Sequence, residues 1–309
     1  ALAQHFGGIY ENGTAKADLG IPIRVNSDIN SPSPRATVEA TYDQIIADLM
    51  QAKGLLPAMP DLKSRPSKAA VMGLLARVYL SMAQYGEAGR YADSCLQLYS
   101  KLLNYNLLNT GATVPFSQFN DEVIFDARAI STNSPLTRAK GKIDSVLYKS
   151  FDIRDKRRAA FFIRNNDNTI AFKGNYSGVT TAAFFTGIAT DEMYLIRSEA
   201  RVRGDNISGA REDLNKLLEN RMETGYFHPV VTTDSKELLE LVLQERRKEL
   251  VSRCLRWIDL RRFSKDPLLA KTITRQVDGQ LYELKVGSSR YVFQIIREAM
   301  LLGNYQQNP

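Results

Sequence analysis

Val71, Leu74, Leu75, Val78, Tyr79 and Met82 fall at i, i+3, i+4, i+7, i+8 and i+11, the spacing that lines one face of an α-helix with apolar side chains. Pro66 and Ser67 supply a start signal and Gly86 a turn. A second stripe follows at once, with Ala88, Tyr91, Ala92, Cys95, Leu96 and Tyr99 on one face. Two adjacent stripes separated by a tight turn can bury their faces only against each other, so the spacing predicts an antiparallel helical hairpin. The pattern returns downstream, where Met193, Ile196 and Ala200 line one helix, residues 204–209 turn, and Ala210, Leu214, Leu217 and Leu218 line the next. Ala210 stands at the post-turn position of Ala88, where a small side chain lets two helices approach closely. This is the logic of tetratricopeptide repeats, whose period is ~34 residues, although the two copies here share little identity.

Two more helices are legible. Tyr42, Ile45, Ile46, Leu49 and Ala52 form a stripe that Thr37 or Ser33 caps and Pro57 ends. A long helix from about Lys236 to Phe263 places Leu243, Arg247, Leu250, Cys254, Trp257 and Ile258 on one face, with Arg247 interrupting it. The expected fold class is therefore all-α in the main: tetratricopeptide-like hairpins in a right-handed scaffold, with irregular loops and a few short strands. A single domain over 1–309 is expected, its scaffold at about 33–103 and 190–265. Between these, residues 104–189 lose periodicity and gain Asn, Gly, Thr and aromatic residues, the composition of a functional excursion. Val123–Phe125 and 159–163 read as strands, and 281–286 with 291–296 as a hairpin around Gly287.

Composition narrows the chemistry. Cys95 and Cys254, the only cysteines, both fall at apolar helical positions and read as buried thiols rather than a disulfide framework. His5 and His228 have no partner at metal-ligand spacing, which argues against a zinc enzyme and a His-based triad, and no metal-ligating residue is singled out. The net charge of +7 comes from 41 basic and 34 acidic residues, mostly interleaved, and the densest basic run, Arg154 to Arg158, also holds Asp155. That mixture argues against tracking a phosphate backbone, so no nucleic-acid partner is expected. Phosphate loops, nucleophile elbows and dinucleotide fingerprints are missing from the sequence, and no cofactor is expected. Apolar runs fall far short of the ~20 residues of a membrane-spanning helix. Ala1 already lies within a segment that reads as structure, so further chain is expected upstream.

Four segments, in order, are similar to the SusD/RagB family of outer-membrane nutrient-binding lipoproteins. They are RPSKAAVMGLLARVYLSMAQYGEA (Arg65 to Ala88), DEMYLIRSEARVRG (Asp191 to Gly204) followed by LNKLLENR, QERRKELVSRCLRWIDLRRF (Gln244 to Phe263), and the closing Gln307, Asn308 and Pro309. Lesser echoes are LGIPI, IIADLMQAKGLLP, DEVIF and FDIRDKR. Two departures stand out: IIREAM (Ile295 to Met300) replaces the family's proline-rich turn, and Cys254 and Leu255 stand where the family more often has glycine or a small polar residue. The resemblance implies a lipid-anchored cell-surface protein, its anchor upstream of this chain, that holds a glycan or less often a peptide for a TonB-dependent SusC-like transporter. It implies no enzyme activity. The repeat hairpins alone equally allow a soluble adaptor that binds peptide or protein segments in a concave groove.

The strongest of these segments carries charges at helical spacing: Glu245 with Lys248, Glu249 with Arg253, and Arg256 with Asp259. Acids with basic neighbours stay ionised, which suits an ion-pair lattice between helices and not a catalytic carboxyl pair. Arg247 or Glu249 is expected in a buried or half-buried pair joining two helices. Trp257, on the apolar stripe, reads as core before sugar platform. The candidate ligand contacts lie in 161–187, where flat apolar rings alternate with hydrogen-bonding groups: Tyr176, Asn175, Arg164, Asn165 and Phe185. Tyr176 leads them, because Gly174, Asn175, Ser177 and Gly178 predict an exposed turn that leaves its ring free and its hydroxyl wet.

Overall fold

The computed structural model describes every residue except 29, 32, 131–137, 180–182 and 309. Pro309 of the closing motif and part of the 104–189 excursion therefore lie outside the described residues. Along the chain run α1 (Leu2–Phe6), β1 (Leu19–Pro22), β2 (Arg35–Thr37), α2 (Val38–Leu55), α3 (Lys68–Ser81) and α4 (Tyr85–Leu98). Shorter elements follow: β3 (Val123–Phe125), β4 (Arg128–Ile130), α5 (Ser145–Lys149), α6 (Lys156–Phe161), β5 (Phe162–Arg164), β6 (Ile170–Phe172), β7 (Ala183–Phe185) and β8 (Ile188–Ala189). Long helices return as α7 (Thr190–Arg203), α8 (Ile207–Glu219) and α9 (Ser235–Glu249). The last elements are α10 (Arg256–Phe263), β9 (Ile273–Val277), β10 (Gln280–Leu284) and α11 (Arg297–Gly303). Helices dominate and every described sheet is a two-stranded antiparallel pair, so the chain is mainly α.

The chain groups into two compact units. The larger comprises Ala52–Leu80 and Tyr85–Leu255; the smaller comprises Ala1–Gln51, Ser81–Gln84 and Arg256–Pro309.

In the larger unit the hairpins form as their stripes predict. Ser67 caps α3 by accepting from the Ala70 amide, Tyr79 stacks on Tyr91 of α4, and the Cys95 thiol donates to the Ala69 carbonyl at 3.2 Å. Helices α7, α8 and α9 share a core of Leu195, Val202, Leu214, Leu217, Leu238 and Val242. Burying each such side chain contributes about 1.5–3 kcal/mol. Ala88 and Ala210 are both fully buried, as a close helix approach requires. Arg197 on α7 then ties the layers together, reaching Asp93 of α4 at 2.7 Å and Asp213 of α8 at 2.6 Å.

Four expectations need correction. The long helix of 236–263 is two helices, because Ser252 and Cys254 both take left-handed backbone (φ 60°) between α9 and α10. Cys254 is consequently exposed, not buried. The 159–163 strand is mostly the end of α6, with only β5 extended. The C-terminal hairpin lies one segment earlier, where Asp278 and Gly279 have positive φ (49° and 78°) and join β9 to β10, the chemistry of a primed two-residue turn.

Two arginines of the smaller unit bind carbonyl oxygens rather than carboxylates. Arg35 donates to the Gly20 carbonyl at 2.9 Å, the Gln306 carbonyl at 2.8 Å and the Asn308 side-chain oxygen at 2.8 Å. Asn308 in turn donates to the carbonyls of Phe6 and Phe293, and Gln307 pairs both ends of its amide with the Ile295 backbone. Arg261 captures the carbonyls of Gln4 and Gly7. Burial without a counter-ion lowers the pKa of both arginines. Trp257 is half-buried against Tyr291 and Phe293.

Candidate functional site

The excursion 104–189 is built on rings. Tyr105, Phe116, Phe161, Phe172, Tyr176 and Phe185 belong to one buried cluster in the larger unit. Tyr176, expected on an exposed turn, is 3% exposed, and its ring lies 5.1 Å from both Phe116 and Phe185. The physical reason is the use made of its glycines. A side chain at Gly174 would come within 2.6 Å of the Phe161 backbone, and Gly178 combines φ +69° with backbone atoms of Ser117 and Gln118 close enough to forbid a Cβ. They permit close packing inside the protein instead of a loop tip outside it.

Two other candidates share the correction. Asn175, 1% exposed, turns its side-chain oxygen onto the Ser177 hydroxyl at 2.8 Å, and Phe185 is 2% exposed. None of the three presents a face to a ligand.

Beneath the rings lies a charge network. Arg157 of α6 forks onto Asp155 (2.9 and 2.7 Å), Glu249 (2.9 Å) and Glu245 (2.6 Å). Arg221, just past α8, donates to Glu249 at 2.9 Å, Glu122 at 2.7 Å and the Leu103 carbonyl at 2.8 Å. Arg253 grips both oxygens of Asp191 and lies 3.8 Å over the Tyr176 ring, whose hydroxyl donates to Glu122. Planar guanidinium forks satisfy several acceptors at fixed angles, which is why arginine fills these positions.

The pairs differ from the helical spacing. Glu245 does meet Lys248. Glu249, however, turns to Arg157 and Arg221, Arg253 to Asp191, and Asp259 to Arg262. Glu249 thus joins α9 to α6 through a buried pair, while Arg247 makes a half-exposed pair with Asp144, the N-cap of α5, at 2.8 Å. Glu122 and Arg221 were not singled out in the sequence, since neither belongs to a periodic charge pattern.

Carboxylates of Glu122, Asp191 and Glu249 converge closely enough to suggest a cation site. Their oxygens already accept from arginines, from Tyr176 or from the backbone amides of Leu103 and Glu192. Guanidinium charges thereby occupy the place a divalent ion needs, and the cluster acts as internal counter-ions. Burial raises Glu249, but Arg221 and Arg157 outweigh it and hold the carboxyl down to about 2. Burial, reinforced by Glu122 and Glu249, lifts Asp191 to about 7 against Arg253.

Arg164 and Asn165 fare differently, because the structure does bring them together at the surface. They close the β5–β6 hairpin: Asn165 donates its amide to the Thr169 carbonyl at 2.8 Å, and Asn168 adopts the left-handed region (φ 63°) that asparagine tolerates. Arg164 is exposed and spans to the Asn168 carbonyl, while Arg138 reaches the Asn165 side chain at 3.2 Å. Phe162 and Phe172 pair across the same hairpin and anchor it in the ring cluster. A polar tip on a rigid apolar base offers several donors and acceptors in a fixed array, the arrangement that binds hydroxyl-bearing ligands with little ordering cost.

Comparison with known proteins adds an independent line. A family model described as "Starch-binding associating with outer membrane" (SusD-like_3) matches residues 1–80, and one described as "SusD family" (SusD_RagB) matches residues 190–299. No curated protein matches the chain. Among solved structures, a putative sugar-binding protein from Bacteroides vulgatus is 25% identical with a TM-score of 0.79, covering 100% of this chain and 73% of its own. A SusD-like carbohydrate-binding protein from the same species is 21% identical (TM-score 0.73, 98% and 73% covered). A SusD superfamily protein from Bacteroides thetaiotaomicron is 22% identical (TM-score 0.77, 100% and 74% covered).

Proposed function

The chain belongs to the SusD/RagB family, and from that premise we propose that it captures a glycan at the cell surface for a partner TonB-dependent SusC-like transporter of the outer membrane. The likeness to a sugar-binding protein over the whole chain supports the ligand class. The observation that carries the reading is the β5–β6 hairpin, where Arg164 and Asn165 stand exposed or half-exposed on a base fixed by Phe162 and Phe172. Attachment in this reading is through a lipid anchor, as the family resemblance implies; no helix among the described residues is long and apolar enough to cross a membrane.

The buried acids support binding rather than turnover. Glycoside hydrolysis needs two carboxyl groups flanking a reachable bond. Asp191, the carboxyl raised to about 7, has no solvent exposure, and Glu122 and Glu249 are equally buried.

Retention on polysaccharide-containing native gels tests the proposal. Wild type should be slowed by at least one polysaccharide of a broad panel, and Arg164→Ala with Asn165→Ala should weaken that binding by about 1–3 kcal/mol, the worth of hydrogen bonds that include a charged donor. Unchanged retention of the double variant removes the hairpin from the site. If no polysaccharide slows wild type, the glycan reading itself falls.

A further inference from the structure

A cleft of about 570 Å³ opens in the smaller unit, far from any residue of the β5–β6 hairpin in sequence, between the Gly8–Ile9 and Ala17–Leu19 segments, Ser264–Lys265, Gly287–Val292 and Gln306–Asn308. That volume lies within the roughly 300–1,000 Å³ of small-molecule sites. Its charge is balanced. Asp18 and Lys265 are its only charged lining residues, and Lys265 is already paired with Glu11. A phosphate or carboxylate ligand would want unspent cations and a metal would want several carboxylates; neither set is present among the lining residues.

The polar groups divide into committed and free. Ser264 donates to the Arg261 carbonyl, and Gln307 and Asn308 are consumed by backbone groups. Tyr291 is different: it is 1% exposed, lines the cleft and stacks on Trp257, yet its hydroxyl makes no hydrogen bond among the described residues. That hydroxyl is free to donate and accept a hydrogen bond with a ligand in the cleft. The exposed side chains of Ser289 and Gln306 likewise make no hydrogen bond among the described residues. Between these groups Ile9 and Leu19 provide apolar wall.

We propose that this cleft is a second binding site, for a short neutral oligosaccharide. Uncharged hydroxyls would pair with Tyr291, Ser289 and Gln306, and C–H faces would lie on the apolar wall. The proposal rests on the glycan reading but on none of the hairpin residues.

Calorimetric titration with neutral trisaccharides (maltotriose, cellotriose and xylotriose) tests it, with melting temperature as a folding control. At least one should bind wild type. Tyr291→Phe, which removes only the hydroxyl, should weaken it about tenfold; Ser289→Trp, which fills the mouth, should abolish it; Arg164→Ala should leave it unchanged. Trisaccharide binding that survives Ser289→Trp but is lost in Arg164→Ala overturns the cleft and leaves the glycan function standing. So does retention on polysaccharide gels with no trisaccharide bound. Loss of both trisaccharide and polysaccharide binding in wild type defeats the two readings together.

Discussion

Arg157 of α6 and Glu249 of α9, 92 residues apart in sequence, meet at 2.9 Å with neither side chain touching solvent. A charge in that position is stable only while its partners remain. Burial alone would lower the Arg157 pKa, yet Asp155, Glu245 and Glu249 more than offset it and hold the guanidinium charged.

Arg157→Ala should therefore destabilise the protein by about 3–5 kcal/mol, because it strands buried carboxylates. Arg247→Ala, which breaks a pair whose side chains are 33% and 40% exposed, should cost no more than about 1 kcal/mol because solvent screens it. Urea unfolding of the two variants checks the contrast. Equal losses would mean that burial does not set the worth of these pairs.

Tyr176 gives the second prediction. As a core ring it should cost about 3–5 kcal/mol when cut to alanine, through the cavity left behind. Tyr176→Phe keeps the ring and removes only the donor to Glu122, for a loss of about 1–3 kcal/mol. Polysaccharide retention of the phenylalanine variant should match wild type. A drop in retention with unchanged melting temperature would return Tyr176 to the ligand site.

The acids also predict opposite pH dependences. Asp191, raised from 3.8 to about 7, binds a proton in the native state that the unfolded chain does not hold. Its contribution is complete below about pH 4 and is lost as pH rises through 7. Glu249, lowered from 4.5 to about 2, contributes above pH 4.5 and loses that contribution as pH falls toward 2. Between pH 5 and 7, where Glu249 is constant, wild type should lose stability faster than Asp191→Asn. Parallel curves would show that Asp191 is ionised throughout.

The hairpins of α3 with α4 and α7 with α8 were legible because a 3.6-residue stripe has few other solutions. The break after α9 was not, since nothing in the side chains of Ser252 or Cys254 announces left-handed backbone. One trace existed: the family resemblance places glycine or a small polar residue more often at Cys254 and Leu255, and glycine is the residue type that φ 60° favours. Cys254→Gly should raise stability by up to about 1 kcal/mol, measured by thermal unfolding, and a loss would show that the Cys254 side chain contributes contacts worth more than the strain. Within the candidate site, the Arg164–Asn165 turn could be read locally from Asn, Asp and Thr. The burial of Tyr176 could not, because whether Gly174 and Gly178 face solvent or a neighbouring backbone depends on partners as far away as Phe161 and Ser117.

Arg35 sets an order on biosynthesis. Its guanidinium contacts residues 20, 306 and 308, up to 273 positions away, so these bonds cannot close on a nascent chain until residue 308 has been made. The larger unit, whose contacts all lie between residues 52 and 255, faces no such wait. The larger unit can thus complete its core before the smaller one has all its parts. Until residue 308 is in place, Arg35 lacks two of the oxygen acceptors that hold its segment in the finished unit.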